Sequence, residues 1–339
     1  ESKFDYIDYS LTQNQWFKKQ LFQKQLDYWK NKLSGELPIL DLPYDKSRPM
    51  VPTTTGAEVT VVITPEQTQS LRQLADTHHT TLYNVMLSVY SIFLHKYCQQ
   101  DEIMIGTPIA NRNHEPFANL LGFFVNTIPY RIHVKKQGRF IDLLEIIDKS
   151  SVEAAENQDV PYDLVVENLK IERQSGINPV FQTMFALQTG ITLSGSWHSL
   201  QIDYEIFELS TKTAKQDLCL ILYERADGSL QGCFEYSSDR FDHASIERFV
   251  FNFNHLLAQI IAEPLKKMSY YTLLDQSAVY KKVGLPTLSK SLQKTDTIPH
   301  YFEERVRKTP HLQAVFDENM VLTYDELNQS ANRLAHYLN

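Results

Sequence analysis

Three short runs that mix polar and aromatic residues are the parts of this sequence best suited to chemistry. They read Leu121-Gly-Phe-Phe-Val-Asn-Thr127, Asn157-Gln-Asp-Val-Pro-Tyr-Asp163 and Arg173-Gln-Ser-Gly-Ile-Asn-Pro179. The first opens a predicted strand, the second follows a predicted helix that its proline interrupts, and the third leads into another strand. The residue types leave two interpretations open. The runs either line a substrate site or form buried turns whose backbone groups are satisfied by Asn, Asp and Arg.

Other candidates for chemistry match known sites poorly. His78-His79 could supply a general base, but the pair falls between two predicted helices and has no orienting partner nearby. We therefore interpret it as a solvated interhelical loop. Two glycines in the segment 190–197 have the spacing of a phosphate-binding loop, yet Ser-Trp stands where Lys-Ser or Lys-Thr would be needed. The residues around Ser199 weakly resemble the site where carrier proteins receive phosphopantetheine. However, polar and apolar residues alternate after it, as in a strand.

Metal and thiol chemistry are not indicated either. The histidines are scattered, without metal-ligand spacing. The three cysteines, Cys98, Cys219 and Cys233, form no CxxC pair, and the last two lie in apolar strand patterns typical of packed thiols. So few cysteines favour a reducing compartment, and we expect a cytoplasmic protein.

The charge and composition of the chain limit the classes of partner that it is expected to bind. With 33 Lys and Arg against 41 Asp and Glu, the net charge of −8 disfavours nucleic acid. Only 11 of 339 residues are glycine, which argues against a glycine-rich phosphate loop. No uncharged apolar run reaches the length of a membrane span, so we expect no membrane partner.

Helices and strands alternate around the three runs. The periodicity predicts helices over residues 15–33, 81–97, 140–155 and 243–261, and strands over 59–63, 103–106, 126–134, 218–223 and 230–236. Thr64 and Gln67 predict a capping box for a further helix, and Asp242 is predicted to cap the helix that follows it. The Ala226–Ser229 turn predicts a hairpin.

The sequence divides into three parts. Residues 1–265 carry the regular pattern, residues 266–296 are rich in Lys, Ser, Thr, Gly and Pro and are predicted to be a linker, and residues 297–339 begin a new pattern. The last part predicts a helix from about Ile298, a strand at 314–316 and a helix over 324–338. It is too short to bury a core of its own, so we expect it to be the start of a longer domain.

In their order and spacing, the three runs resemble motifs of the condensation domain of nonribosomal peptide synthetases. The first resembles Ile/Val-Gly-x-Phe-Val-Asn-Thr, and the second is similar to His/Asn-Gln-Asp-x-Pro-Phe-Glu. The third resembles Arg-Asp-x-Ser-Arg-Asn-Pro-Leu, although Gln174, Gly176 and Ile177 depart from it. Tyr6-Ile-Asp-Tyr9 with Trp16 resembles a fourth motif, Tyr-x-Asp-Phe/Tyr-Ala-x-Trp.

Two further segments support the resemblance. Residues 101–112 fit the same family, and residues 322–328 with 331–335 resemble the opening of an adenylation domain. The resemblance implies an α/β fold: the C-terminal lobe of a chloramphenicol-acetyltransferase-like condensation fold, with a mixed sheet flanked by helices. A linker and a truncated adenylation N-terminus would follow.

The function implied by this resemblance is peptide-bond formation between carrier-bound aminoacyl or peptidyl thioesters in secondary-metabolite biosynthesis. Such a catalyst positions the amine and shields the thioester from water. The family's His-His-x-x-x-Asp-Gly motif is not in the chain, so no catalytic residue is assigned, and whether the chain alone is an enzyme stays open. The alternatives are a noncatalytic carrier-docking scaffold and a stand-alone thioester-dependent acyltransferase.

The resemblance also implies cofactors and partners. No cofactor is expected on the chain itself: phosphopantetheine would be carried by partner carrier domains, and ATP would be used by the truncated adenylation domain. The expected partners are upstream and downstream peptidyl carrier domains, a missing N-terminal lobe and the rest of the adenylation domain.

The site residues implied by the resemblance all lie in the three runs and are expected to line or brace a substrate tunnel between two lobes. They are Gly122, Phe123, Phe124, Val125, Asn126, Thr127, Asn157, Gln158, Asp159, Arg173, Asn178 and Pro179. Arg173 and Asn178 are assigned to a buried polar brace. Because a single lobe would expose its tunnel wall, we expect exposed apolar surface.

Overall fold

The computed structural model describes residues 4–51, 53–113, 115–169, 171, 176–189, 194–197, 202–205, 210–274, 297–316 and 320–338, with only the backbone at 194–197 and 203–205. The chain forms two compact units, Glu1–Asp275 and Gln276–Asn339.

The first unit is organised around a mixed sheet of six strands. In chain order the strands of this unit are β1 (Gly56–Ile63), β2 (Glu102–Ile109), β3 (Asn126–His133), β4 (Thr183–Gln188), β5 (Ser194–Trp197), β6 (Ile202–Glu205), β7 (Leu218–Glu224) and β8 (Leu230–Ser237). The order across the sheet is β1-β8-β7-β4-β2-β3, and β5 pairs with β6 in a separate hairpin. The β7–β4 and β4–β2 pairs are parallel and the others antiparallel. The predicted hairpin between β7 and β8 is confirmed.

Among the described residues of the first unit, seven α-helices accompany this sheet. They are α1 (Tyr6–Trp16), α2 (Gln20–Lys32), α3 (Pro65–Thr77), α4 (Leu82–Cys98), α5 (Phe140–Glu156), α6 (Tyr162–Leu169) and α7 (His243–Ala262). Helix α4 is apolar around most of its circumference, and it is buried against α3, α5, α7 and the strands β2 and β4. The expected α/β architecture of a mixed sheet with helices is confirmed.

The prediction of one helix over residues 15–33 is wrong. Helix α1 ends where the Phe17 N–H donates to Gln13 O, and Lys19 then adopts an extended backbone before α2 begins. In one straight helix, Trp16 and Trp29 would point about 140° apart. The break lets Trp16 pack on a small aromatic cluster while Trp29 enters the main core.

The two predicted helix caps have different outcomes. Thr64 and Gln67 form the predicted capping box at the start of α3. The prediction that the Asp242 side chain caps α7 is wrong, because that side chain accepts no capping hydrogen bond. Instead, the Asp45 carboxylate accepts from the Asp242 N–H at 2.8 Å and from Ser245 Oγ at 2.7 Å.

The first unit extends beyond residue 265, where the sequence predicted a linker. Met268 and Tyr271 are buried in the main core, and the Tyr271 hydroxyl donates to Glu263 O at 2.6 Å. Residues 266–274 therefore belong to the first unit, and the rest of the predicted linker lies outside the described residues.

The second unit contains α8 (Ile298–Lys308), β9 (Gln313–Phe316), β10 (Val321–Thr323) and α9 (Tyr324–Leu338). The sequence did not predict β10, which pairs with β9 in an antiparallel hairpin. No residue of α9 is buried. Among all described residues of the chain, none of the helices has both the length and the apolar character required to cross a membrane.

Candidate functional site

The side chain of Asn126 joins the first two runs. Asn126 is the first residue of β3, and its Nδ2 donates to Gln158 O at 3.0 Å and to Val160 O at 2.8 Å. Its Oδ1 accepts from the Tyr162 N–H at 2.9 Å, which fixes the start of α6. The amide therefore clamps the turn between α5 and α6 onto the sheet.

Asn178 extends this clamp to the third run. The Tyr162 hydroxyl donates to Asn178 Oδ1 at 3.0 Å, and the same oxygen accepts from the Val180 N–H at 3.0 Å. The ring centroids of Tyr162 and Phe181 lie 5.4 Å apart. Burial raises the pKa of Tyr162 above its usual value, so this phenol stays neutral and donates. Pro179 lies half-buried beside Asn178, and Arg173 lies outside the described residues.

Helix α2 holds the turn from its other side. Trp29 Nε1 donates to Asn157 O at 2.7 Å, and Gln25 Nε2 donates to Asp159 Oδ2 at 3.0 Å. The Asn157 side chain turns back and donates to Glu153 O at 2.8 Å, at the end of α5. Asn157 therefore braces a helix end.

A small aromatic cluster supports the segment before β3. Phe124 is buried against the ring of Tyr9, with centroids 4.6 Å apart, and under the Arg112 guanidinium at 4.2 Å. Arg112 also donates to Leu120 O at 2.8 Å. A Cβ on Gly122 would collide with the ring of Tyr6, so glycine is needed for the close approach of α1.

The side chains of the two neighbours of Phe124 are exposed. Phe123 is 78% exposed and Val125 is 51% exposed, and Leu121 at the start of the run is 95% exposed. The run thus combines one buried side chain, Phe124, with three exposed apolar ones.

A groove opens where β2 and β4 separate. The two strands pair only at Gly106 and Met184. Beyond this pair lies a cavity of about 650 Å³. Its lining comes from the ends of both strands, from β3, from the helices α4 and α5 and from the first two runs. The lining residues are Tyr83, Thr107, Pro108, Ile109, Ala110, Val125, Ile128, Tyr130, Ser151, Ala155, Gln158, Ala186, Leu187, Gln188 and Thr189.

The polar groups of the groove are hydroxyls and amides. Tyr83 and Thr107 share a hydrogen bond of 2.8 Å. Burial raises the pKa values of Tyr83 and Tyr130 above that of a free phenol, so both rings stay neutral. Ser151 Oγ donates to Asn84 Oδ1 at 2.7 Å. Such a lining can hold and orient a ligand through hydrogen bonds, but it supplies no group poised to take a proton near neutral pH.

The predicted site residues therefore have different positions. Val125 and Gln158 line the groove, whereas Asn126, Asn157 and Asn178 bond to backbone and Phe124 packs in the aromatic cluster. Of the other predicted residues, Gly122 contacts α1 and Phe123 is exposed. Thr127 lies in β3 opposite Pro108, and the Asp159 carboxylate accepts a hydrogen bond from Gln25. No cluster of potential metal ligands occurs among the described residues.

Sequence reasoning missed several residues of this region. Tyr83 and Tyr130 line the groove, and Gln25 and Trp29 hold the turn. The alternation along β3 marks Tyr130 as a residue on one face of a strand, but nothing local reveals what that face contacts. The histidine pair at 78–79 is not part of the groove lining, and His79 occupies a left-handed backbone turn between α3 and α4.

Comparisons with known proteins agree with this architecture. A family model described as Condensation domain matches residues 1–280. Gramicidin S synthase 2 from Aneurinibacillus migulanus is 34% identical over 344 aligned positions, which cover 100% of this chain and 8% of that protein. Tyrocidine synthase 3 from Brevibacillus parabrevis is 34% identical over 337 positions, covering 99% of this chain and 5% of that protein. The chain thus spans a small fraction of the length of these curated relatives.

Solved structures share the fold. A four-domain nonribosomal peptide synthetase bound to AMP and glycine gives a TM-score of 0.70 at 21% identity, over 93% of this chain and 25% of that one. The condensation domain from the Monacolin K polyketide synthase gives a TM-score of 0.66 at 19% identity, over 77% of this chain and 62% of that domain.

Proposed function

Since the chain belongs to the condensation-domain family, we propose that its first unit forms one wall of the site where a peptide synthetase joins two carrier-bound substrates. In this role the groove between β2 and β4 receives part of a carrier-bound acyl chain. The unit positions the reactants and excludes water while the amine attacks the thioester.

The observation that carries this proposal is the shared lining of the groove. Val125 comes from the first run and Gln158 from the second, and both line the same cavity. The Asn126 clamp holds these two segments together through the Gln158 and Val160 carbonyls. A groove lining that is held rigidly in this way suits a catalyst whose main task is to orient a flexible substrate.

The lining also limits what this wall does. Its phenols are neutral, and its other polar side chains are hydroxyls and amides. We therefore assign positioning to this unit, and proton handling to a His-His-x-x-x-Asp-Gly segment on a second lobe. The exposed apolar side chains of Leu121 and Phe123 support this arrangement, since a second lobe would cover them.

The second unit supports the finer part of the proposal. We assign it to the start of an adenylation domain, on the strength of the motif at 322–328. Its apolar side chains Phe316, Leu334 and Tyr337 are exposed, which fits a segment that packs against more adenylation-domain structure. Within this proposal, phosphopantetheine is carried by neighbouring carrier domains, and ATP serves the adenylation domain.

A blocked groove tests the function. In an intact synthetase module that contains this chain, we expect Val125→Trp to lower the rate of peptide formation at least tenfold, because the indole fills the groove. Loading of amino acids onto the carriers should not change. Val62→Trp is the matched control: Val62 in β1 is 45% exposed, close to the 51% of Val125, and is not part of the lining.

Equal rates of peptide formation in the two variants would rule out the groove as the substrate path. The same 339-residue chain, offered two aminoacyl thioesters without the rest of the module, should form no amide. Amide formation by the chain alone would favour the stand-alone acyltransferase instead.

A further inference from the structure

A second cavity adjoins the groove between β2 and β4. Its volume is about 880 Å³, which is in the range of sites that bind small molecules. The residues that line both cavities are Tyr83, Tyr130, Ser151, Ala155, Leu187 and Thr189. Because the two cavities share these walls, a ligand in the groove can extend into the second cavity, which we call the side chamber.

One face of α5 and the first turn of α4 form much of the side chamber. On α5 the lining residues are Asp148, Ser151, Val152 and Ala155. Spacings of three and four residues place their side chains on one face of the helix, so Asp148 belongs to the face that lines the cavity. Asn84 of α4 also lines the cavity, and its Nδ2 donates to Asp148 Oδ1 at 3.0 Å. The carboxylate is therefore held in place at the chamber wall.

The side chamber contains one negative charge without a counterion. The Arg72 guanidinium pairs with the Glu224 carboxylate, so the charges of these two lining residues cancel. The half-buried Asp148 carboxylate accepts from neutral donors, Thr80 Oγ1 and Asn84 Nδ2, and both hydrogen bonds go to Oδ1. No lysine, arginine or histidine of the described part of the chain forms an ion pair with it. Such a carboxylate favours a ligand group that is positively charged and donates hydrogen bonds.

The groove and the side chamber differ in the charge of their walls. Among the described residues that line the groove, none is charged. Ser151 lines both cavities, and Asp148 lies three residues before it on α5, about 4.5 Å away along the helix axis. A short side chain of a substrate held in the groove would end near Ser151, whereas a long side chain would reach Asp148.

We propose that the side chamber selects a donor acyl group whose side chain ends in an ammonium group, as in lysine. The ammonium group donates hydrogen bonds to the Asp148 carboxylate while the rest of the acyl group lies in the groove. This inference rests on the proposed function of the groove and adds to it the class of substrate.

A comparison of two donors of equal length provides the test. In an intact synthetase module that contains this chain, the upstream carrier is loaded chemically with a lysyl or a norleucyl group on its phosphopantetheine. Norleucine matches lysine in length but has no side-chain charge. We expect kcat/KM for the lysyl donor to be higher by about tenfold or more, because a hydrogen bond between two charged groups is about twice as strong as a neutral one. Equal kcat/KM values for the two donors would overturn the inference.

Two variants on α5 separate Asp148 from the general charge of the helix. Asp148→Asn removes the charge but keeps an oxygen that can accept from Thr80 and Asn84, so the fold should tolerate it. We expect it to lower the ratio of lysyl to norleucyl transfer to about one. Glu145→Gln is the matched control, because Glu145 is exposed on the same helix and does not line the side chamber, and the ratio should not change. A preference that survives Asp148→Asn, or an equal loss in both variants, would contradict the site.

This inference and the proposed function fail in different ways. If Val125→Trp lowers transfer of both donors while the parent module shows no preference for the lysyl donor, the groove is the substrate path and the side chamber does not select a cation. If Val125→Trp changes neither rate, the groove is not the substrate path, and both proposals are wrong.

Discussion

The side chain of Asn126 shows how much a single amide does in this molecule. Its two N–H groups donate to the Gln158 and Val160 carbonyls, and its Oδ1 accepts from the N–H groups of Thr127 and Tyr162. An amide is the only side chain of this size that offers two donors and two acceptor positions. The resemblance to a known motif identified this residue, but its partners in the turn lie more than 30 residues away and could not be predicted.

Asn126→Asp tests this role with almost no change in volume. The carboxylate would face two carbonyl oxygens that have lost their donors, so we expect the free energy of unfolding to fall by about 2–4 kcal/mol. Urea denaturation of the full chain measures it. Asn168→Asp is the control, because Asn168 donates one exposed hydrogen bond, to Leu164 O, and should cost less than about 1 kcal/mol. Equal losses would contradict the clamp.

The ion pair between Glu102 and Arg131 gives a pH dependence. Arg131 Nε donates to Glu102 Oε1 at 2.7 Å, and this hydrogen bond lowers the pKa of Glu102 below its ordinary value of 4.5. A lowered carboxyl pKa stabilises the fold above the unfolded-state pKa, and this contribution is lost as the pH falls through the folded-state pKa.

Glu102→Gln should therefore differ most from the parent chain near neutral pH. The Glu102 side chain is 37% exposed, so we expect a difference of about 0.5 kcal/mol that disappears as the pH falls from about 5 to about 3. Urea denaturation at a series of pH values measures it. A difference that grows toward acid pH would show that the ion pair does not stabilise the fold.

At the level of whole elements, α7 obtains its cap from a distant loop. The Asp45 carboxylate accepts from the Asp242 N–H and from Ser245 Oγ. Partial burial raises the pKa of Asp45, but these hydrogen bonds outweigh it and leave the pKa below its usual value. Asp242 itself pairs with Lys46 at the surface, at 2.8 Å. The helix is thus fixed to the proline-rich loop that precedes β1.

Asp45→Ala and Asp242→Ala should therefore differ in their effects. Removing the carboxylate that serves the helix start should cost about 1 kcal/mol or more, whereas removing Asp242 loses only an exposed ion pair worth about 0.5 kcal/mol. Thermal unfolding of the two variants compares them directly. A larger loss of stability for Asp242→Ala would show that the Asp242 side chain caps α7, as the sequence predicted.

The elements show which features a sequence can predict. The capping box of Thr64 and Gln67 was predictable because both partners lie within four residues. The break between α1 and α2 was not, because it serves two separate clusters that contain Trp16 and Trp29. The groove between β2 and β4 depends on a strand order that brings residues 107–110 beside 186–189, and no local pattern encodes that order.

On the scale of the whole molecule, the helices of the two compact units differ in how many of their residues are buried. Helix α4 has 14 buried residues, whereas α9 has none. Hydrogen exchange of the full chain should reflect this difference. We expect peptides from residues 324–338 to exchange within seconds to minutes and peptides from 82–98 to remain protected for hours. Similar protection of both helices would indicate that α9 is covered in solution.

The pairing of β1 with β8 determines how late during synthesis the six-stranded sheet can be completed. Gly56 opposes Ser237 and Ile63 opposes Leu230, so the first strand must wait until more than 170 further residues have been made. At about 5–20 residues per second, this delay is about 10–35 s. During that interval the backbone groups of β1 lack their final partner on the ribosome-bound chain. Slow translation would prolong the exposure, and a chaperone that shields nascent strands would be most useful over these residues.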